Sequence, residues 1–274
     1  MGRRQMNVDN RVVLITGTFY KNLDTLRCQL FLRTLEAVKT AGYHMVVVDA
    51  SPPEVRAEFE KRAVGSNVHI YQEQVRGMGP SRRQATFLAS ELAIVIGAKV
   101  LMWLEAEKAD MIRFVPELVD TFFSPVDVCQ YEIVVPYRTR TSWASYPSFQ
   151  MNEELNQNLE STKYTSVDLD VSFGPMLATV EVARRMILVE TARFKEWGIA
   201  DTYVWQWFVT LAFRLGYMIG SVPVDFIYPP EQKAEEDRPD NEEMRAKRAK
   251  QLETALYAHK TLGNLTIATD LRCI

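Results

Sequence analysis

The sequence predicts an α/β fold: a mostly parallel, doubly wound sheet in a three-layer sandwich, arranged as a single domain with a C-terminal helix. Three observations carry that expectation. Short continuous apolar runs alternate with amphipathic stretches through the first hundred residues, in the β-α-β order of a parallel sheet. The runs end abruptly in polar residues, as strands do when they emerge at one edge of such a sheet. And 47% of the 274 residues are hydrophobic, enough apolar material for a sizeable core.

Taken in order, Arg11–Thr16 (RVVLIT) reads as a strand buried on both faces, closed by Gly17. A helix follows with Leu23, Leu26, Leu30, Leu35 and Val38 on one side and Gly42 at its C-cap. Met45–Val48 is the second strand, stopping at Asp49, and Pro52-Pro53 opens a short charged helix. Val68–Tyr71 is the third strand. A helix from near Pro80 to Ile96, closed by Gly97, leads to the fourth strand, Lys99–Leu104, which runs into Glu105-Ala106-Glu107. The second half is less regular. Asp127–Tyr137 reads as a strand, and Arg138–Glu160 as a long loop with room for one helix. Ser172-Phe173-Gly174-Pro175 leads into a helix ending near Met186, Asp201–Leu215 is an aromatic-rich helix, and Ser221–Ile227 a last strand. Charges dominate from Glu231 to Lys260, with helical patterning after Asn241.

Charge narrows the function. The 32 basic residues stand against 35 acidic ones, a formal net charge of −3, which excludes a nucleic-acid binder relying on a basic stripe. Three cysteines, Cys28, Cys129 and Cys273, form no CxxC pair and suggest a reducing compartment. The first ten residues carry no apolar signal region, and the longest apolar stretch, Leu92–Leu104, is interrupted by Lys99. The expectation is a soluble cytoplasmic protein acting on small molecules.

Four constellations can carry chemistry. Glu105 and Glu107, two residues apart after a buried strand, suit a hard divalent cation already carrying phosphate oxygens, unless they are simply an acidic turn. Arg76–Ala85 pairs Gly77 and Gly79 with a helix start that favours an anion, and Arg82 and Arg83 can add guanidinium donors to a diphosphate; a plain glycine loop with exposed arginines has the same pattern. Asp49, with Ser51, can accept from a base N–H or a ribose hydroxyl, or can cap the turn before Pro52. Glu196 and Asp201 are placed to act as a base near a sugar or hydroxyl, although Asp201 also suits a helix N-cap. Trp197 and Tyr203 can flank a sugar ring, or belong to the core.

These marks fall in one order: Thr16-Gly17-Thr18 after the first strand, Asp49 after the second, Gly77-x-Gly79-x-x-Arg82, Glu105-x-Glu107, Gly174-Pro175-Met176, and Trp197-Gly198 before Asp201. Over roughly residues 11–230 the series resembles the GT-A glycosyltransferase fold, in particular its family-2-type and mannosylglycerate-synthase-like members. The resemblance implies that Thr16, Gly17, Thr18, Tyr20 and Asp49 hold the nucleotide and that Gly77 and Arg82 serve its diphosphate. Glu105 and Glu107 would then replace the family's Asp-x-Asp motif and hold Mn²⁺ or Mg²⁺, with Glu107 the main ligand. Gly174 and Trp197 would border the sugar and acceptor, with Asp201, and Glu196 beside it, as the acidic catalytic groups. The implied activity is hexose transfer from a nucleotide-diphosphate sugar, GDP-mannose or UDP-glucose in type, to a hydroxyl on a small molecule or glycan. Residues 1–125 are then the nucleotide-binding half, 126–230 the sugar and acceptor half, and 231–274 a charged helical tail, which reads as a solvated face or as a surface for a partner or a homodimer. Arg138, Arg140, Trp143 and Tyr146 offer contacts to a small anionic acceptor, or pack a loop.

Two departures set this chain apart: Glu-x-Glu stands for Asp-x-Asp, and no histidine occurs in Tyr228-Pro229-Pro230-Glu231-Gln232, where some relatives place a metal ligand. They keep open an alternative, a nucleotide-sugar-binding or scaffold protein of the same fold that no longer turns over. A short-chain dehydrogenase is disfavoured because Thr18–Leu23 supplies none of the further glycines its fingerprint needs. A nucleotidyltransferase lacks its Gly-rich basic loop after the first strand.

Overall fold

Parallel strands buried on both faces need continuous apolar sequence, and β1 (Val12–Thr18) and β2 (His44–Asp49) meet that need with cores of Val, Leu, Ile and Met that water does not reach. The computed structural model describes residues 10–123, 131–187, 191–202, 204–238 and 242–265. Between those strands lies α1 (Leu26–Ala41), capped by the Thr25 hydroxyl, which accepts from the Cys28 N–H at 3.3 Å, and closed by Gly42 in the left-handed region. The alternation continues through α2 (Pro53–Ala63), β3 (Val68–Gln72), α3 (Met78–Ile96) and β4 (Val100–Trp103). A 3₁₀ turn at Ala109–Phe114 and α4 (Val115–Asp120), neither anticipated from sequence, follow.

Then come β5 (Ile133–Arg138), α5 (Arg140–Ser145), α6 (Ser148–Thr165), a 3₁₀ turn at Val171–Phe173, β6 (Met176–Thr179) and α7 (Val180–Ile187). The chain finishes with α8 (Thr191–Glu196), α9 (Val204–Arg214), β7 (Ile219–Val224), α10 (Pro230–Glu236) and α11 (Glu242–Gly263). The sheet has seven strands in the order β3-β2-β1-β4-β6-β5-β7. The pairings of β1 with β2 and β4, of β2 with β3 and of β5 with β7 are parallel, in keeping with a mostly parallel α/β sheet.

Two compact units divide the chain, one of residues 1–120 with 177–184, the other of 121–176 with 185–274. In the first, α3 packs over β1 and β2, and α2 over β3. Register decides what meets at the strand ends. Thr18 stands opposite Asp49, and Ile15 opposite Trp103, so the residues following β1, β2 and β4 emerge together at one edge.

In the second unit α6 packs against α9 and α11 around a centre that includes Trp205, Val209, Ala258 and Leu262. Here the structure corrects the sequence reading. The stretch 138–160 is not a loop: it ends β5, forms α5 and enters α6. A strand, β6, intervenes between Pro175 and the helix ending at Ile187. The strand expected at Asp127–Tyr137 begins only at Ile133; its residues 127–130, like Tyr203, Cys129 and Cys273, lie outside the described residues.

One buried histidine in this unit sets a pH dependence. His259 has no exposed surface, and its Nδ1 lies 2.8 Å from Thr210 Oγ1. Burial lowers its pKa to about 4, against a smaller opposing pull from Glu160. The unfolded chain takes up the proton near its ordinary value of about 6.5 while the folded chain stays neutral. Stability is therefore flat above about pH 6.5 and falls as the pH drops toward 4, by about 3 kcal/mol. Urea unfolding followed from pH 7.5 to 4.5 is expected to show this slope, and His259→Asn to flatten it.

Candidate functional site

In the first unit a string of hydrogen bonds joins the residues at the ends of β1, β2 and β4. Asp49, fully buried, receives two hydroxyls on Oδ1, from Thr18 Oγ1 at 2.7 Å and from Ser51 Oγ at 2.6 Å. Ser51 Oγ in turn accepts the Tyr20 N–H at 2.9 Å. At the other end of its side chain, the Tyr20 hydroxyl donates to Glu107 Oε1 at 3.1 Å. Tyr20 is held in place by Phe31 and Phe59, whose ring centroids lie 5.8 and 6.1 Å away. A single residue thus spans from the Asp49 end of the site to the carboxylates after β4.

Asp49 Oδ2 and Thr16 Oγ1 are buried, and neither has a hydrogen-bond partner among the described residues. Leaving such an acceptor unmet costs about 1–3 kcal/mol, a cost that a bound ligand can remove. Burial pushes the Asp49 carboxyl above its usual range, against the Ser51 and Thr18 hydrogen bonds, which favour the ionised form. Burial also raises Glu107; Arg27 pulls the other way, and the charge of Glu105 adds to the rise.

The loop before α3 is shaped by Gly77, whose φ of 133° lies in a region that favours glycine. Arg82, on the first turns of α3, sits over the Trp103 ring at 4.8 Å. Gly17 is less constrained: a Cβ there would stand 3.6 Å from Ser81 Oγ and from Trp103 Cη2, an ordinary contact.

Glu105 and Glu107 follow β4, where the Leu104 N–H bonds to Ile15 O at 2.8 Å. The chemistry of this donor set fits a divalent cation: two hard carboxylates, one of them raised by burial and by the other's negative charge, which a cation would relieve. Among the described residues no group of three or more such side chains forms, so phosphate oxygens would have to complete the coordination. Sequence reasoning missed Lys108, whose Nζ lies 2.8 Å from Glu105 Oε2; the i,i+3 spacing was the available signal.

The other expected site residues belong to the second unit. Gly174 is buried with φ 99°, and Trp197 is half-buried, its ring edge-on to Phe194 and its carbonyl accepting the Tyr257 hydroxyl at 3.1 Å. Glu196 is exposed, 3.7 Å from Arg193, and Asp201 is half-buried. Arg138 proves to be a packing residue. Its side chain is wholly buried, donates to Asp170 through Nε at 2.7 Å and Nη2 at 2.6 Å, and pairs with Glu154. The Trp143 and Tyr146 rings lie 3.5 and 4.5 Å from its guanidinium carbon, while Arg140 is exposed.

No protein-family model matches the chain, and no curated protein matches it in sequence. Solved structures do. Glucosyl-3-phosphoglycerate synthase from Mycobacterium tuberculosis, crystallised with Mn²⁺, uridine diphosphate and glucosyl-3-phosphoglycerate, aligns with 92% of this chain and 80% of its own at 12% identity and a TM-score of 0.53. A candidate nucleotide-diphospho-sugar transferase from Desulfovibrio desulfuricans G20 covers 91% and 98% at 8% identity and a TM-score of 0.46. TarS from S. aureus, residues 1–349, covers 77% and 58% at 12% identity and a TM-score of 0.42. With the first of these likenesses and the strand order, the chain has the GT-A glycosyltransferase fold.

Proposed function

We propose that the chain is a glycosyltransferase that moves a hexose from a nucleotide-diphosphate sugar, of the UDP-glucose or GDP-mannose type, to a hydroxyl acceptor. The observation that carries this reading is Asp49: a buried carboxylate with one oxygen doubly engaged and the other unmet, at the end of β2 and tied through Ser51 and Tyr20 to Glu107. That pattern suits a nucleoside at one end and a charged diphosphate at the other. Its likeness to an enzyme crystallised with UDP and Mn²⁺ supports the same reading.

In this reading Asp49 and Thr16 take the base or ribose, with Thr18 and Tyr20 holding Asp49 and Glu107 in place. Backbone amides at the start of α3, opened by Gly77, and the Arg82 guanidinium take the diphosphate. Glu105 and Glu107 hold a divalent cation, which when bound stabilises charge on the leaving diphosphate. Transfer breaks the bond from the sugar C1 to the phosphate oxygen and forms one from C1 to the acceptor oxygen. The acceptor proton passes to a carboxylate, Asp201 or Glu196, or to the departing diphosphate. Gly174 and Trp197, in the second unit, would be sugar contacts, a role that rests on the family resemblance alone. No described helix is long and apolar enough to cross a membrane.

A second reading, nucleotide-sugar binding without turnover, is favoured by one feature, the Lys108–Glu105 ion pair. Calorimetric titration of UDP, GDP and their glucose and mannose conjugates, first with Mn²⁺ and then with EDTA, tests the proposal. Binding of one nucleotide series, followed by slow release of free sugar or transfer to an added acceptor, is the expected result. Binding with no release or transfer favours the second reading. If no nucleotide binds under either condition, both fail.

A further inference from the structure

Lys108 was not among the residues singled out from sequence, and its surroundings are unusual for a lysine. Its side chain is only 8% exposed, although lysines are rarely buried without a partner. The turn after β4 brings it there: the Lys108 N–H bonds to Glu105 O at 3.0 Å and the Met111 N–H to Lys108 O at 3.0 Å, so the 3₁₀ path continues from Glu105 into the Ala109–Phe114 turn. Residues three apart on such a path overlie one another, which sets Nζ 2.8 Å from Glu105 Oε2. Glu107, two residues beyond Glu105, points its Oε1 at Tyr20 instead.

The consequence is electrostatic. Glu105 and Glu107 together would offer a cation two negative charges; Lys108, paired to the first, offsets one of them, and the nearby Arg27 charge, which acts on Glu107, weakens the attraction further. Affinity for a hard divalent cation follows the number of charged ligands, and this ion pair resists being split because the buried Lys108 ammonium would be left without a counter-charge. We infer that Lys108 is an internal counter-ion that competes with a divalent cation for Glu105, so that the bare cation binds weakly and is captured together with a nucleoside diphosphate. The diphosphate supplies the missing negative charge and oxygen ligands. Lys108 then governs the order of assembly at the site. The inference rests on the proposed reading of Glu105 and Glu107 as cation ligands, but its central claim concerns the cation alone.

Titration of the full chain with Mn²⁺, following the free-ion electron paramagnetic resonance signal, tests it. For the wild type, Mn²⁺ alone is expected to bind at least tenfold more weakly than Mn²⁺ with UDP or GDP, once the Mn²⁺ taken up by the same nucleotide without protein is subtracted. Lys108→Gln is expected to tighten binding of Mn²⁺ alone about tenfold, and Lys108→Arg, which keeps the charge, to leave it as in the wild type. The double variant Lys108→Gln, Glu105→Gln should lose the gain. Thermal unfolding of each variant reports whether it is folded; should Lys108→Gln not fold, Lys108→Met, which also removes the charge, takes its place. Equal affinity for Mn²⁺ alone in the wild type and in a folded variant lacking the Lys108 charge overturns the inference. A failure of UDP and GDP to bind at any Mn²⁺ concentration would instead count against the transferase reading, while the Lys108→Gln titration without nucleotide still judges the counter-ion role.

Discussion

Arg138→Met is expected to lower the unfolding free energy of the chain by about 3–5 kcal/mol, the usual cost of removing one partner from a buried ion pair. Asp170 is the group left stranded. Burial by itself would raise its pKa, yet Arg138 holds the carboxyl below the usual range, and it accepts both from the Arg138 N–H at 3.0 Å and from the Asn158 amide at 2.7 Å. Without the guanidinium, that carboxylate and Glu154 face each other across the aromatic box of Trp143, Tyr146 and Phe173. Urea denaturation at neutral pH provides the measurement. The double variant Arg138→Met, Asp170→Leu should recover part of the loss: the Asp170 charge is no longer stranded, but Glu154 still lacks its guanidinium and the Asn158 amide its acceptor. If the single variant unfolds at the wild-type midpoint, the network contributes nothing to stability.

Asp49→Asn is expected to weaken nucleotide binding about 10–100-fold while leaving the melting temperature equal to or above that of the wild type. The substitution is selective. The asparagine oxygen can still accept from Thr18 and Ser51, so the local bonds survive, but an amide N–H₂ takes the place of the unmet acceptor. Removing a carboxylate that burial already disfavours costs the fold nothing. Calorimetry of UDP or GDP with the variant reads the effect; unchanged affinity would remove Asp49 from the nucleotide site.

How much of this was legible in the sequence depended on whether burial and hydrophobicity coincided. In the first unit they do: Val12–Ile15, Met45–Val48 and Val100–Trp103 are apolar because both faces of their strands are covered, and the polar residue ending each run marks the edge where the site lies. In α6 they do not. Its buried positions are Gln150, Gln157, Asn158, Ser161 and Thr165, so no apolar 3.6-residue period appears and the stretch reads as loop. The four-residue β6 was hidden behind Gly174-Pro175, which resembles a helix start as much as a strand start. The fate of Arg138 had no local signal, since Asp170 lies 32 residues away. Asp49, Glu105 and Glu107 were legible as charged residues at strand ends, but the hydrogen bonds joining Asp49 to Glu107 run through Ser51 and Tyr20, whose roles only the parallel register reveals.

The direction of those hydrogen bonds has a further consequence. A hydroxyl has one proton; Ser51 gives its proton to Asp49 and so can only accept from the Tyr20 amide. Thr18 likewise spends its proton on Asp49. Both protons converge on Oδ1 and none reaches Oδ2, so the end of β2 speaks in lone pairs alone. On the proposed reading, in which Asp49 takes the base or ribose, the ligand must bring a donor to Oδ2, such as a ribose hydroxyl or the imino N–H of uracil or guanine. The demand at Oδ2 is thereby set by the orientation of two hydroxyl groups bound to the other oxygen.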